Sequence, residues 1–512
     1  MRVSCFVFFY LLNCVCFSQT QFVKKDVPIP GTMLGVSRDL VQIHADTFLL
    51  IGVTGQTNTA GYFNRLTVAA VNKNGDYLWH KSYGDKNHSY LPTYGSYRML
   101  RQKGSFVFST MTCTDTNGVI SGVLLKLNHA GDTLWQSTYT APANQQIFDL
   151  SINFTKDGGF LLVGNQQTDL PLYNGHPVVC IQAQKLDSNG QQKWAKQYCA
   201  ANLDNIAFAI DIIENPLSKD ILITGFQRNG SNTYGIILLT DSSGIEKNRF
   251  GNYSARPFLS QMSNIIFTQD SNFIAVGAEL SDQKLYTDYT LSYAGVVKFD
   301  RNCNVLYKKL HDTLSYANGY NRIEELPNGT FVVSGTLDAL LKRVHGYNAY
   351  ARISLLDPNG DVIWRKYYDN VVDADNADNP LGMVLTKDGG LAFTTAVIEP
   401  KVTPVYYTFY RTDLSACDPN AIGCYATGIK EERFTSDNFV VLPNPNNGDF
   451  TIRSTSELHL VLYNALGQNI KSLDLGGLSS SEVSITDLSA GVYFIKNAND
   501  AGEKGLKIIV SK

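Results

Sequence analysis

Short apolar runs recur along most of this chain, each bounded by Gly, Asn or Asp at positions that suit tight turns. The clearest stretch predicts strands over Phe148–Thr155, Phe160–Gln166, Val178–Leu186 and Gln191–Cys199. Asp157-Gly158-Gly159 separates the first two strands, and Asn189-Gly190 the last two. Asp-Gly and Asn-Gly between apolar runs mark hairpins. The turns that match strand twist need positive φ, which glycine and asparagine adopt at low cost.

The same four-strand phrase repeats. Its last hairpin ends on an aromatic at Trp79, Trp135, Trp194, Tyr307 and Trp364, with Asn248 in a degenerate copy, at intervals of 54 to 59 residues. Four antiparallel strands at that period describe a propeller blade. Second-strand runs start near Phe48, Phe106, Phe160, Ile221, Phe273, Phe331 and Leu391, which makes seven units. Only six are followed by a fourth strand of their own. Phe22-Val23-Lys24-Lys25 resembles Leu306-Tyr307-Lys308-Lys309, so the N-terminus is expected to supply the seventh. The predicted fold is all-β: a seven-bladed β-propeller, followed by a small β-sandwich. The N-terminal strand completes the last blade, whose other strands lie near Gly382–Asp413, and so removes the ring's open edges.

The repeated aromatic is expected to pack between neighbouring blades, with no cofactor pocket behind it. The connections after the second and fourth strands are long and irregular, as in Gln167–Pro177 and Tyr368–Leu381. They share one face. Long loops on a rigid scaffold are where binding sits, so that face is the candidate site.

Composition then narrows the class. Lys plus Arg number 43 against 46 Asp plus Glu, a net charge of −3, which argues against a nucleic-acid surface. Met1-Arg2 and the apolar run Val3–Phe17 read as a signal peptide over residues 1–18, cleaved before Gln19. No other stretch approaches transmembrane length. The expected divisions are 1–18 signal, 19–424 propeller, 425–438 linker and 439–512 C-terminal domain.

Candidate chemistry is sparse. HExxH, CxxC, GxxxxGK[ST] and GxSxG are all absent from the sequence. His44, His80 and His129 stand alone in the chain and read as surface or turn residues. Asp373, Asp375 and Asp378 lie in an acidic loop that could offer oxygen ligands to calcium, although the spacing is not that of an EF-hand. Six cysteines remain after the signal, an even number in an exported chain. Cys180 and Cys199 face each other across the Asn189-Gly190 hairpin. Two-residue turn counting makes them a hydrogen-bonded pair, the less favourable geometry for a disulfide. Cys417 and Cys424 enclose a short loop that a second disulfide would pin.

The repeat resembles a secreted propeller family built on a "DGGF…G" turn-strand and a "D-x-x-G-x-x-x-W" hairpin, over about residues 22–424. The resemblance implies fold and leaves activity open. The C-terminal segment carries Pro443-Asn444-Pro445, then Asn447-Gly448-Asp449-Phe450. Leu462-Tyr463-Asn464-Ala465-Leu466-Gly467-Gln468 follows, then Leu488-Ser489-Ala490-Gly491-Val492-Tyr493-Phe494 and Lys507-Ile508-Ile509. In order and spacing this is similar to the type A sorting domain of the type IX secretion system. Gln468 stands where Arg is more usual. The resemblance implies type IX machinery as a partner, passage through the outer membrane, and a secreted or cell-surface destination. The expected role is binding or scaffolding toward a glycan or protein. The alternative is a polysaccharide hydrolase or lyase whose acids converge from several blades.

Overall fold

The computed structural model describes residues 23–30, 32, 34–58, 61–84, 87–91, 99–140, 145–168, 178–200, 205–229, 232–251, 256–286, 289–316, 318–338, 349–368, 379–396, 406–412, 414, 439–442, 448–454, 458–464, 467–475, 481–498 and 506–510. The chain divides into two compact units between residues 426 and 427. Among the described residues the secondary structure is strand, with no helix.

Among the described residues, the first unit holds seven antiparallel sheets. Sheet one pairs Leu34–His44, Thr47–Asn58, Gly61–Asn72 and Tyr77–Tyr83 in that order. In sheet two, Phe106–Asp115, Ile120–Asn128 and Thr133–Tyr139 follow an inner edge split into His88–Leu91 and Leu100–Lys103. Sheet three is Gln146–Phe154, Phe160–Gln167, Val179–Leu186 and Gln192–Tyr198. Sheet four is Asn205–Glu214, Ile221–Asn229, Asn232–Thr240 and Glu246–Phe250. Sheet five is Gln261–Phe267, Phe273–Tyr286, Tyr289–Phe299 and Val305–Tyr316, and sheet six is Gly319–Glu325, Phe331–Asp338, Ala349–Leu356 and Val362–Tyr368. The seventh joins Asn379–Leu385, Leu391–Ala396 and Tyr406–Thr412 to the N-terminal strand Val23–Pro28, with Val23 opposite Arg411 and Val27 opposite Tyr407.

Each sheet packs on the next, the seventh packs on the first, and the inner strands touch around the ring. This is a β-propeller. Both faces of a sheet are therefore covered. That is why the middle strands read as near-continuous buried runs, as in Val179–Leu186, while the outer strand Gln192–Tyr198 is mostly exposed.

The repeated hairpin has a specific geometry. In sheet three, Gly190 N donates to Asp187 O at 3.0 Å, and Asp187 N to Gln191 O at 2.8 Å. This is a three-residue loop closed by a glycine in the left-handed region, not the two-residue turn expected from sequence. The extra residue, together with a register break between Lys185 and Leu186 that keeps Cys180 opposite Cys199, changes the pairing parity. Cys180 and Cys199 are joined by a disulfide with Cα atoms 4.4 Å apart, the spacing of a non-hydrogen-bonded pair.

The small residue that follows the apolar run within the second strand also has a cause. Six inner strands carry a register break near their middle. The bulge presses backbone onto the neighbouring strand. A Cβ on Gly335 would lie 2.1 Å from Gly319 O, so only glycine fits there.

The second unit is built from two sheets. Phe439–Leu442, Phe450–Ser454 and Ser481–Ile485 form one; Asn469–Leu475, Leu458–Asn464, Gly491–Asn497 and Leu506–Val510 form the other. Phe450, Ile452 and Ile485 from the first and Leu460, Leu462, Ile495 and Ile508 from the second share one buried core. This is a small β-sandwich.

Candidate functional site

The inner strands bring acids from distant blades to the centre of the ring, where an enzyme site is most expected. Asp39 and Asp211 occupy equivalent positions just after the bulges of sheets one and four. Both are fully buried. Asp211 accepts from Ile212 N at 3.0 Å and Ser151 Oγ at 3.2 Å. It also accepts from Asn264 Nδ2 at 2.7 Å and Ile265 N at 3.0 Å. Asp39 accepts from Leu40 N, Met99 N and Leu100 N, each at 2.9 Å, and from the Arg322 guanidinium. Each of these carboxylates bonds three sheets to one another. Their lone pairs are committed to the fold, which assigns them to structure rather than to acid–base chemistry.

Acids of the short turns are similarly engaged. Asp157 accepts from the Thr155 hydroxyl and pairs with Lys185 at 3.1 Å; these partners hold its pKa down to about 2. Asp270 accepts from Thr268 and pairs with Lys298, and Asp388 accepts from Thr386 and pairs with Arg411. The "DG" of the motif is thus an anchored turn.

The opposite end of the sheets carries the connections proposed to bind. In sheets one, four and five the second and third strands stay paired to the tip: Asn58 faces Gly61, Asn229 faces Asn232, and Tyr286 faces Tyr289. The expectation of long second connections fails in these three sheets, because extended strand pairing replaces loop. In sheet three Thr168 N donates to Val178 O at 2.9 Å and closes the base of such a connection. Near this end, Phe208 on the inner strand of sheet four stands opposite Phe226 on the second strand. The rings are stacked, with centroids 4.9 Å apart and planes 22° apart, and both are half-buried. No spacing along the chain signals this pair, since it depends on cross-strand register.

The repeated aromatics pack between blades as expected. A Cβ on Gly131 would lie 2.7 Å from Trp79, one on Gly190 2.7 Å from Trp135, and one on Gly360 2.7 Å from Tyr307. Each ring lies over the last turn of the following sheet.

Asp373, Asp375 and Asp378, and Cys417 with Cys424, lie outside the described residues. So do Pro443, Asn444 and Pro445 and the linker over 425–438. Asn447, Ala465 and Leu466 of the motif also lie outside the described residues, and the remaining motif residues are placed. Phe450 is buried. Gly448 O accepts from Leu488 N at 3.1 Å, and Asp449 Oδ1 accepts from Asp487 N at 3.0 Å, so two motif segments are tied together. Gly467 closes a turn at φ +76°, with its N–H donating to Asn464 O at 3.0 Å. Gly491 opens a strand in which Tyr493 donates to Ser489 O at 2.9 Å and Phe494 pairs with Lys507.

Residues 440–511 match the family of secretion system C-terminal sorting domains. No curated protein matches the sequence. Among solved structures, the chain is similar to an α-L-arabinofuranosidase from Fusarium graminearum, at 9% identity over 77% of this chain and 98% of that one, with a TM-score of 0.38. It is also similar to the NanB sialidase from Streptococcus pneumoniae, at 8% identity over 77% and 95%, with a TM-score of 0.42. A third is an α-L-arabinanase from Penicillium chrysogenum, at 8% identity over 77% and 99%, with a TM-score of 0.37. The sorting domain marks an exported protein, handled by type IX machinery and destined for secretion or the cell surface. Among the described residues, no helix is long and apolar enough to cross a membrane.

Proposed function

We propose that the propeller, residues 19–424, is an exported recognition module for an extracellular glycan. Residues 1–18 act as its signal, and the segment from 439 as a removable sorting tail. The observation that carries this reading is the Phe208–Phe226 stack. Two flat apolar surfaces are held on rigid paired strands near the end of the sheets that bears the connections. Such a platform suits the C–H face of a sugar ring, and little ordering entropy is lost on binding. Asp39 and Asp211 are spent on backbone and side-chain bonds, which favours binding over hydrolysis at the ring centre.

The test incubates the purified protein with a panel of extracellular polysaccharides and proteins, and records retention and released product together. Retention of a polysaccharide without product, weakened about tenfold by Phe208→Ala or Phe226→Ala, is the expected result. Released oligosaccharide instead makes the protein a hydrolase or lyase and overturns the reading. Retention of a protein alone moves the ligand class.

A further inference from the structure

We infer that His44 and His129 form a site for one divalent transition cation of the zinc class. His44 ends the inner strand of sheet one, and His129 stands in the last hairpin turn of sheet two, 85 residues along the chain. The fold brings His129 Nδ1 to 3.2 Å from His44 Nε2, with ring planes 84° apart. Two imidazole nitrogens bound to tetrahedral zinc at 2.0–2.1 Å lie about 3.3 Å from each other, so modest ring rotations let both reach one ion.

The backbone beneath the pair is fixed. Gln102 Nε2 donates to Ile43 O at 3.3 Å and to Gly104 O at 3.2 Å, tying sheet two to the residue before His44. His44 is exposed and His129 half-buried, so water can complete the coordination. The Lys387 ammonium donates to Ile43 O at 3.2 Å and opposes purely electrostatic capture of a cation. Binding therefore rests on imidazole donation, which selects zinc, copper or nickel over calcium and magnesium.

The test is calorimetric titration of the purified protein with zinc chloride near neutral pH, with calcium chloride as the comparison. One equivalent of zinc should bind. Its affinity should fall at least about tenfold in His44→Gln and in His129→Gln. Circular dichroism and melting of both variants check that the propeller stays folded. The inference is overturned by an absence of stoichiometric zinc binding, by unchanged affinity in both variants, or by calcium binding equally well.

Discussion

Gly190 and Gly329 share a backbone conformation, with φ of +82° and +80°, in unlike surroundings. A Cβ at Gly329 meets nothing within 4 Å, whereas one at Gly190 lies 2.7 Å from the Trp135 ring. Gly329→Ala should cost about 1 kcal/mol, the strain of a left-handed residue. Gly190→Ala must also displace an indole and should cost roughly 1–3 kcal/mol more. Denaturant midpoints measure both, and equal losses would show that the indole does not bear on the turn. Cys303 fills the matching turn position in sheet five at φ +64° and is buried. The preceding outer strand carries Asn248 instead of a large aromatic, so the two departures from the repeat occur at facing positions of the alignment. His311 extends the same inter-sheet bonding. Its Nε2 lies 2.9 Å from Gly360 O and its Nδ1 3.0 Å from Tyr320 Oη. A carbonyl only accepts, so Nε2 carries the proton and Nδ1 accepts from the phenol. Burial pushes the imidazole pKa down to about 4. The unfolded chain then binds the proton more tightly than the folded one. Stability contributed by His311 is complete above about pH 6.5 and is lost as pH falls toward 4, by at most about 1.4 kcal/mol per pH unit. Stability measured against pH in wild type and His311→Gln should differ in slope within that window and run parallel above it.

At the scale of elements, neighbouring sheets are latched by one recurring device. The acid or amide near the end of an inner strand accepts from a backbone N–H in the preceding sheet's turn. Lys156 N donates to Glu214 at 2.6 Å, Gln269 N to Glu325 at 2.9 Å, and Lys387 N to Gln42 at 2.7 Å. The last of these joins sheet seven to sheet one, so the closing seam uses the same bond as interior seams. Nearer the ring centre the seam is spanned differently. Arg322 of sheet six reaches Asp39 of sheet one, and the matching residue of sheet seven is Gly382. A Cβ there would lie 2.6 Å from Asp39 Cα and 2.7 Å from Asp39 Oδ1. Glycine thus gives the carboxylate the space it occupies. Asp39→Asn should cost about 4 kcal/mol by leaving a buried guanidinium without its counter-charge. Gly382→Ala should cost a comparable amount, and the double variant much less than the total of the two. Strict additivity would separate the glycine from the ion pair.

For the whole molecule, ring closure rests on six residues from the start of the described chain. Val27 is buried with Leu40, Phe48, Tyr407 and Phe409 in a core shared by the first and seventh sheets. Removing Val23–Pro28 strips the outer strand from Tyr406–Thr412 and opens that core to water. Each large buried side chain so exposed forfeits roughly 1.5–3 kcal/mol, which approaches the whole stability of a domain. The deletion should abolish the cooperative melting transition of the propeller; a transition at the wild-type temperature would refute closure by this strand. The sorting unit has a core of its own. Its Leu460→Ala variant should therefore unfold the tail while the propeller transition stays in place, as followed by two-phase calorimetry.

The sequence alone determined the strands, the positions of the turns and the partner of Cys180, because each depends on residues near one another in the chain. Short apolar runs, Asp-Gly or Asn-Gly turns and the recurring aromatic are local signals, and most blades repeat them. The sorting segment was legible for the same reason, with its motifs in fixed order. Local counting stopped at the parity of the hairpin, which the left-handed glycine and the register break beside it together reversed. Only the tertiary structure decided what depends on ring closure and cross-strand register. Asp39 meets Arg322 across 283 residues, and His44 meets His129 across 85. Phe208 stacks on Phe226 because pairing sets them opposite each other. No fixed spacing in the chain encodes such pairs. They arise where the ends of separate strands are carried to the same place, and in this fold the acids brought to the centre serve its cohesion.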